Sequence, residues 1–274
     1  MPELPEVRTI VHTLKPAIGL KVTDVNFNDA RVIRNCSSKE FRKFFLNETI
    51  KDIKTLGKLI YFVFSHDKYL TIHLRMEGKV YFLNKKDPKE PFQCVEIILG
   101  NKKVVYTDSR KFGQLNIYKD EKSFLKSREI TSQGYEPWDK RLTPDYLLKC
   151  FKGKNQAIKT TLLDQSIISG IGNIYAAEIC FACKINPKRP AKQLTKQDCQ
   201  HVISSCRSIM KKSIQNQGTT VFTFKFAKNH SGSFQNQLKV YERQGQKCKV
   251  CGTTIKKIML NGRGTCYCPK CQAK

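Results

Sequence analysis

The second residue of the chain is a proline, which becomes an N-terminal secondary amine when Met1 is removed. Methionine removal is usual when the next residue is small. Because an α-amino group has a pKa of about 8, a useful fraction of it is nucleophilic near neutral pH. Such an amine can attack a masked aldehyde, for example a sugar C1′, and form an iminium. Glu3 and Glu6 follow, at a spacing that places both carboxylates on one face of a helix.

The same residues also fit an ordinary helix start. Proline and acidic residues are typical of the first helical turn. Val7, Ile10 and Leu14 recur at helical spacing, which predicts an amphipathic helix over residues 4–17. Taken alone, this pattern does not require a catalytic proline, so support for one must come from other segments of the chain.

Four cysteines near the end of the chain have the spacing of a metal site. Two Cys-x-x-Cys pairs are separated by sixteen residues, and they are Cys248, Cys251, Cys268 and Cys271. Four thiolates at this spacing predict one structural Zn²⁺ in tetrahedral coordination. The segment between the pairs predicts a short hairpin that depends on the metal, with Arg263 near its tip. By contrast, Cys180 and Cys183 lie in an apolar helical stretch without a second pair, which indicates burial.

Other segments combine cations, aromatic side chains and turns. Lys58 follows Gly57 directly before a strong strand, and Arg110, Lys111 and Phe112 share one loop. A cation beside an aromatic ring suits a phosphate contact together with insertion into a base stack.

Two further residues are candidates for contact with nucleic acid. Met76 could be a second wedge, although strand-edge packing explains it equally well. Asn173 follows a Gly-Ile-Gly turn, where it could cap the helix that begins at Ile174. A helix start of this kind is a natural phosphate site.

The charge of the chain favours a polyanionic partner. Its 274 residues include 50 Lys and Arg against 23 Asp and Glu, which leaves a net charge of +27. An excess this large exceeds what solubility requires, so nucleic acid is the expected partner. No apolar run reaches membrane-spanning length and no signal-peptide pattern opens the chain, so we expect an intracellular protein without a membrane partner.

The periodicity predicts an α+β protein with two kinds of domain. The first half contains six short β-branched or aromatic runs bounded by turn residues, typical of a sandwich or barrel. They are Leu59–Phe64, Tyr69–Leu74, Lys79–Leu83, Val95–Leu99, Val104–Thr107 and Gln114–Tyr118. Helical spacing then predicts helices over Pro144–Phe151, Leu162–Ser169, Ile174–Cys183 and Lys196–Ile214.

Together these segments resemble the formamidopyrimidine-DNA glycosylase / endonuclease VIII family of base-excision repair enzymes. The matching segments occur in family order across nearly the whole chain. They are residues 2–7, 57–58, 73–78, 108–113, 163–175 and 232–241, and the four-cysteine tail with Arg263.

The resemblance implies a bifunctional DNA glycosylase and abasic-site lyase acting on damaged double-stranded DNA. Pro2 would attack C1′ and form a Schiff base, Glu3 would protonate the sugar ring oxygen, and Glu6 would support the amine. Lys58, counted with the catalytic residues, would hold a flanking phosphate. Two sets of DNA contacts follow: Asn173 and Arg263 at phosphates, and Met76, Arg110 and Phe112 in the gap left by the everted nucleotide.

The resemblance also implies a domain plan and a location. Residues 1–128 would form a catalytic domain of one helix plus a β-sandwich, with a linker over 129–142. Residues 143–235 would form a helix–two-turn–helix domain, and 236–274 the zinc finger, with DNA in the cleft between domains. We expect a monomer in the cytoplasm, associated with the nucleoid in a bacterium.

Two alternatives stay open at this stage. Glu136-Pro137 and the 232–243 segment favour the purine-repair branch, but the aromatic run Val221–Phe226 departs from its lesion-covering loop. Oxidised pyrimidines are therefore the second candidate substrate. A non-catalytic zinc-ribbon DNA-binding protein explains the charge and the cysteines, but it gives Pro2 and Glu3 no role.

Overall fold

The structure is a computed structural model that describes residues 1–219 and 232–273. The aromatic run Val221–Phe226, compared above with a lesion-covering loop, lies outside the described residues. The chain forms two compact units. The first contains Met1–Thr131 and also Gln217, Gly218, Thr219 and Gly232, and the second contains Ser132–Asn216 and the chain from Ser233 onward.

The described residues of the first unit form two four-stranded antiparallel sheets and four α-helices. One sheet has the order β1-β6-β7-β5 and the other the order β2-β3-β4-β8. Its strands are β1 Asp24–Phe27, β2 Ile50–Leu56, β3 Leu59–Phe64, β4 Tyr69–His73, β5 Lys79–Asn84, β6 Gln93–Leu99, β7 Lys102–Thr107 and β8 Gln114–Tyr118. Its helices are α1 Leu4–Leu14, α2 Ser38–Phe45, α3 Glu121–Leu125 and α4 Arg128–Thr131.

One hydrophobic core joins the two sheets and the first helix. Ile60 and Phe62 from the second sheet and Val95 and Val104 from the first belong to the same buried cluster. Alternate strand residues point to this core, as the period of two requires. Leu14 of α1 is also fully buried in it, so the helix at the start of the chain is fixed to the sandwich.

The second unit is helical and ends in a small ribbon. Its helices are α5 Pro144–Phe151, α6 Ile158–Thr161, α7 Asn173–Ala182 and α8 Lys196–Gln215. Strands β9 Lys256–Leu260 and β10 Arg263–Tyr267 form the antiparallel ribbon. Thr195 begins α8 with a reciprocal capping box to Asp198. No helix in the described ranges is long and apolar enough to cross a membrane.

The ribbon packs on α7 through one apolar cluster. Ala177 and Phe181 of α7 belong to the same buried cluster as Val240 and Ile255. The cluster also contains three tail cysteines, Cys248, Cys266 and Cys268. Glu178, also on α7, accepts the backbone N–H groups of residues 239, 240 and 241 at 2.9 Å each. The metal-binding module is therefore seated on the helix that follows the Gly-Ile-Gly turn.

The predicted fold class is confirmed, and all six predicted strands are present. The helix predicted over Leu162–Ser169 is wrong, because side chains there bind the local backbone instead. Asp164 accepts the N–H of Ser166 at 3.0 Å, and Gln165 bonds the carbonyls of Leu163 and Ile171 at 2.8 Å each. Such bonds compete with helix formation. The sequence patterns also missed β1, β2 and helices α2, α3, α4 and α6.

Candidate active site

The start of the chain is held by α1. Glu3 is the N-cap of this helix, and Pro5 occupies its first turn, where the missing N–H costs nothing. Pro2 is buried and Glu3 is only 2% exposed. Chain ends are usually mobile unless tied down; here the buried apolar face of α1 holds Pro2 and Glu3 in place.

The Glu6 carboxylate connects this chain start to a segment more than 200 residues away. Its Oε2 accepts the backbone N–H of Glu3 at 3.0 Å. Its Oε1 accepts the N–H of Thr219 at 2.8 Å and the Thr219 hydroxyl at 3.0 Å. A Cβ at Gly218, which has φ +80°, would lie 2.9 Å from that same oxygen. Residue 218 therefore has to be glycine for the approach to occur.

Charged groups surround the chain's α-amino group. Burial lowers the pKa of the Met1 amine below its ordinary value, and Lys58 lowers it further. The carboxylates of Glu3, Glu77 and Glu6 oppose this shift. The local environment therefore favours an unprotonated, nucleophilic amine, with Glu3 as the carboxylate that acts on it most strongly.

Lys58 lies in a tight hairpin turn between β2 and β3. Leu56 pairs with Leu59, so Gly57 and Lys58 form a two-residue loop. Gly57 has φ +55°, which such a turn requires and which glycine adopts without strain. Lys58 is 6% exposed, and its position near the amine follows from the rigid turn.

His73, at the end of β4, is held neutral beside this lysine. Its strand partner is Leu59, the residue after Lys58. Burial, followed by the charges of Arg75 and Lys58, lowers the pKa of His73 to about 4. The Nδ1 atom accepts the N–H of Arg75 at 3.1 Å. A protonated imidazole is therefore disfavoured next to the two cations.

Asp108 organises the loop that carries Arg110 and Phe112. Its carboxylate accepts the N–H of Gly113 at 2.8 Å, the N–H of Arg110 at 2.9 Å and the Tyr106 hydroxyl at 3.2 Å. Arg110 and Phe112 are both exposed, and the guanidinium lies 4.8 Å from the ring centroid. The loop thus presents a cation and an aromatic ring on a fixed backbone.

Met76 stands in a neighbouring turn. The side chain is 40% exposed, in the turn between β4 and β5. Arg75 donates to the Gln114 side chain at 3.1 Å, which ties this turn to the start of β8. The Tyr106 hydroxyl lies close to both Gly78 and Gly113, where a Cβ would meet it at 2.6 Å and 1.6 Å. The turn that carries Met76 and the loop that carries Phe112 therefore pack against the same side chain, that of Tyr106.

Lys111 does not share the exposure of Arg110. Its Nζ donates to the carbonyl oxygens of Asp108 and Phe92, the second at 3.4 Å. The sequence pattern suggested two cations available for phosphate contact at this loop. In the structure, Arg110 is the exposed one and Lys111 stabilises the loop backbone.

Asn173 lies in the second unit, at the first residue of α7. The N-cap is Gly172, so the prediction that Asn173 caps the helix is wrong. The amide of Asn173 is engaged elsewhere, because Lys159 donates to its Oδ1 and its Nδ2 donates to the Gly264 carbonyl at 3.2 Å. Lys159 itself is fully buried. The cation and the carbonyl together fix the orientation of the amide.

The ribbon tip lies beside this amide. Arg263 begins β10 directly after the Asn261-Gly262 turn, as predicted for the hairpin tip, and it is exposed. The Thr160 hydroxyl bonds the Asn261 side chain at 3.3 Å. Arg263 directly precedes Gly264, whose carbonyl binds the Asn173 amide, so Asn173 and Arg263 lie where α7 meets the ribbon.

The four tail cysteines form the predicted metal site. All four sulfur atoms lie within 4.8 Å of one another. The Cys248–Cys271 pair is separated by 3.9 Å and the Cys251–Cys268 pair by 3.4 Å. Tetrahedral Zn–S bonds of about 2.3 Å put sulfur atoms roughly 3.8 Å apart, so the donor set fits one structural Zn²⁺. Among the described residues, no other His, Cys, Asp or Glu group has this arrangement.

The other cysteines do not form a second site within the described chain. Cys180 is fully packed, and burial raises the pKa of its thiol. This agrees with the interpretation of the Cys180 and Cys183 pair as structural. A buried neutral thiol is a poor metal ligand, because the thiolate is the form that binds.

Four residues that bond to the predicted site residues or act on them electrostatically were not predicted from the sequence. Thr219, Glu77 and His73 lie in the first unit and Lys159 in the second. The contact between Glu6 and Thr219 spans 213 positions, and nothing local to either residue indicates it. The roles predicted for Pro2, Glu3, Glu6, Lys58 and the DNA-contact residues stay predictions.

Family models match nearly the whole chain. The model described as the formamidopyrimidine-DNA glycosylase N-terminal domain matches residues 1–115. The formamidopyrimidine-DNA glycosylase H2TH domain matches residues 133–225. The zinc finger found in FPG and IleRS matches residues 245–274.

Curated relatives and solved structures agree with these matches. The formamidopyrimidine-DNA glycosylase of Ureaplasma parvum is 43% identical over 99% of this chain and 100% of its own length. A complex of a Lactococcus lactis FPG mutant with Fapy-dG-containing DNA has a TM-score of 0.93 and 31% identity, with full coverage of both chains. The wild-type Lactococcus lactis FPG with oxidized-pyrimidine-containing DNA has a TM-score of 0.91 and 30% identity, again with full coverage.

The lowered pKa of His73 makes stability depend on pH. Between about 6.5 and about 4 the unfolded chain binds a proton at His73 that the folded chain does not. We expect the free energy of unfolding to fall from pH 7 to pH 5, by about 1 to 2 kcal/mol from this residue. His73→Asn keeps an acceptor but cannot titrate, so its loss should be smaller by that amount. Urea unfolding at pH 7, 6 and 5 measures both, and equal losses would exclude His73 as the cause.

Removal of zinc should disrupt the ribbon that carries Arg263 and leave the first unit folded. Chelation is expected to unfold the ribbon, displace Arg263 and Gly264, and weaken binding of a damaged duplex at least about tenfold. The β-sheet circular dichroism of the first unit should persist. Cys251→Ser should reproduce this loss, whereas Cys266→Ser, at a buried cysteine outside the cluster, should retain zinc and affinity. Full affinity in zinc-free protein would contradict the assignment of Arg263.

Proposed function

This chain belongs to the formamidopyrimidine-DNA glycosylase family, and we propose that it removes oxidised purines from DNA and then cuts the strand at the abasic site. The observation that carries the proposal is the chain start, where Pro2 and Glu3 are buried and the charges of Glu3, Glu6 and Lys58 act on the α-amino group. The zinc ribbon and the +27 charge support binding to duplex DNA. A zinc-ribbon protein that only binds DNA would need none of the groups around the amine.

The proposed nucleophile is the Pro2 nitrogen. It attacks C1′ of the damaged nucleotide and the bond from C1′ to the base breaks. The base leaves with the bonding electron pair and takes up the proton that the Pro2 nitrogen loses. Glu3 donates a proton to the ring oxygen as the sugar opens, which yields the iminium between Pro2 and C1′. Elimination of the 3′ and then the 5′ phosphate releases the sugar remnant and cuts the strand on both sides.

This chemistry requires removal of Met1. With Met1 attached, the Pro2 nitrogen is an amide whose electron pair is delocalised into the carbonyl. After removal, the amine would be that of Pro2, a buried residue next to the position where burial and Lys58 lower the pKa of the Met1 amine. We propose that Glu6 keeps this amine in place through its bond to the Glu3 backbone.

Binding of the duplex is assigned to residues of both units. Lys58 in the first unit and Asn173 and Arg263 in the second are the proposed phosphate contacts. Arg110, Phe112 and Met76 are exposed tips of turns, and we assign them to the gap left by the everted nucleotide. Lys159 is assigned as a positioning residue, because it donates to the Asn173 amide.

Oxidised purines are the favoured substrate class, and oxidised pyrimidines are the second candidate. The curated Ureaplasma parvum relative carries the formamidopyrimidine name over its full length, which supports the first. The Lactococcus lactis structure with oxidized-pyrimidine-containing DNA supports testing the second. We further propose that the protein acts as a monomer on chromosomal DNA, in the cytoplasm at the nucleoid, since the relatives named above are bacterial.

A trapping experiment tests the catalytic assignment. Borohydride should reduce the iminium and join the chain covalently to a duplex with 8-oxoguanine, and peptide mapping should place the link at Pro2. Glu3→Gln should lose trapping on 8-oxoguanine but keep it on an abasic duplex, whose sugar already presents an aldehyde. A preparation that retains Met1 should give no adduct.

The same assay separates the alternatives. Stronger trapping on thymine glycol than on 8-oxoguanine, at equal salt, would favour the pyrimidine substrate. No adduct with any damaged duplex, from protein shown to begin at Pro2, would leave only the non-catalytic binding protein.

The Glu6–Thr219 contact predicts a positioning effect. Thr219→Val removes the hydroxyl bond to Glu6 but keeps the shape of the side chain, and we expect single-turnover base removal to slow about tenfold. Thr219→Ser should restore the rate. The matched control is Thr9→Val, which removes a buried hydroxyl bond to the Pro5 carbonyl on the same helix. A wild-type rate in the Thr219→Val variant, with zinc and Tm unchanged, would contradict the role of Thr219.

A further inference from the structure

Phe92, immediately before β6, is the most exposed phenylalanine at the loop that carries Phe112. Its side chain is 64% exposed, compared with 49% for Phe112 and 40% for Met76. Single exposed apolar residues are common on protein surfaces, so exposure alone has no functional meaning. The hydrogen bonds and charges around Phe92 are what distinguish it.

The backbone of Phe92 is part of the hydrogen-bond network around Asp108. The Phe92 carbonyl accepts the N–H of Asp108 at 3.0 Å and the Lys111 ammonium at 3.4 Å. The Cys94 thiol bonds the same oxygen at 3.3 Å. Asp108 in turn holds the backbone of Arg110 and Gly113. Phe92 is therefore fixed to the loop that presents Arg110 and Phe112, although it lies sixteen residues before Asp108.

The backbone conformation of Phe92 is unusual. Its φ is +57°, in the left-handed region that a bulky side chain rarely adopts. Lys111, the residue that donates to its carbonyl, also has φ +57°. Such conformations persist only where surrounding contacts impose them. The Asp108 network imposes this one, and its effect is to hold an aromatic ring in solvent.

Each of the two exposed rings has a cation beside it. The Lys111 ammonium lies 5.8 Å from the Phe92 ring centroid, and the Arg110 guanidinium lies 4.8 Å from that of Phe112. Two consecutive cationic residues thus lie beside two different aromatic rings. An aromatic ring next to positive charge suits nucleic acid, since a nucleotide offers a planar base and a phosphate together.

We propose that Phe92 is a second aromatic DNA contact of this loop, with its ring packed on a nucleotide beside the gap to which Arg110 and Phe112 are assigned. This inference rests on the proposed function. The ring makes no hydrogen bond and carries no charge, so the contact adds affinity without sequence preference. Lys111 acts on the backbone and the ring, and Phe92 itself is the residue that touches DNA.

The test compares three variants in binding to a duplex with a tetrahydrofuran abasic analogue. Phe92→Ala should raise Kd about tenfold, the size expected for loss of one stacked aromatic side chain. Phe92→Tyr keeps the ring and should stay within about twofold of wild type. Leu125→Ala, at another exposed apolar residue of the first unit, is the matched control and should also stay within about twofold.

A salt series distinguishes direct contact from an effect through Lys111. Because the Phe92 ring neutralises no phosphate, the slope of log Kd against log salt should be the same for Phe92→Ala and wild type. A slope reduced by about one charge would overturn the proposal, since the ring would then act only by positioning a cation.

The remaining outcomes separate this inference from the function on which it rests. If the wild-type chain binds the duplex and Phe92→Ala binds it with the same affinity, the inference is overturned but the proposed function is not. Failure of the wild-type chain to bind any damaged duplex would overturn the proposed function. Should Phe92→Ala lower Tm, Phe92→Leu keeps the apolar volume without the ring, and wild-type affinity in that variant would overturn the inference too.

Discussion

The position of the chain start relative to Thr219 depends on one buried carboxylate, that of Glu6. A carboxylate removed from water is costly unless donors satisfy it. Among the described residues, the donors to Glu6 include the Glu3 backbone at the start of the same helix and both the N–H and the hydroxyl of Thr219. The start of the chain and the residues after α8 therefore have to meet. This requirement explains why Gln217, Gly218 and Thr219 belong to the first unit although the flanking chain belongs to the second.

The sandwich provides the rigid base from which the other groups extend. Lys58, Met76 and Phe112 all stand on turns between strands of the two sheets, and functional residues are often carried on loops positioned by such a scaffold. Two internal groups set the shape of these turns. Gly57 allows the tight hairpin at Lys58, and the buried pair Tyr106–Asp108 holds the Met76 and Phe112 tips together. The sheets thus fix the turns and the turns fix the side chains.

Local patterns predicted what local physics decides. The six strands between residues 59 and 118 are β-branched or aromatic runs bounded by turn residues, and the zinc ligands follow from cysteine spacing alone. Strand β2 was missed because its sequence, IKDIKTL, places apolar residues three apart rather than two. Gln165 turned a helical pattern into a turn by bonding backbone carbonyls. The contacts of Thr219 with Glu6 and of Lys159 with Asn173 depend on the tertiary fold, so periodicity and spacing cannot reveal them.

Zinc holds the ribbon in place beside Asn173 and has no chemical role of its own. Four thiolates leave no open coordination site for a substrate. The ribbon that they stabilise supplies the Gly264 carbonyl, which binds the Asn173 amide, and the adjacent exposed Arg263. Lys159 holds the other end of that amide from within the helical core. One end of the Asn173 side chain is therefore oriented by a buried cation and the other by a strand that needs the metal. Orientation of the Asn173 amide, which we propose as a phosphate contact, thus depends on a metal ion that has no open coordination site.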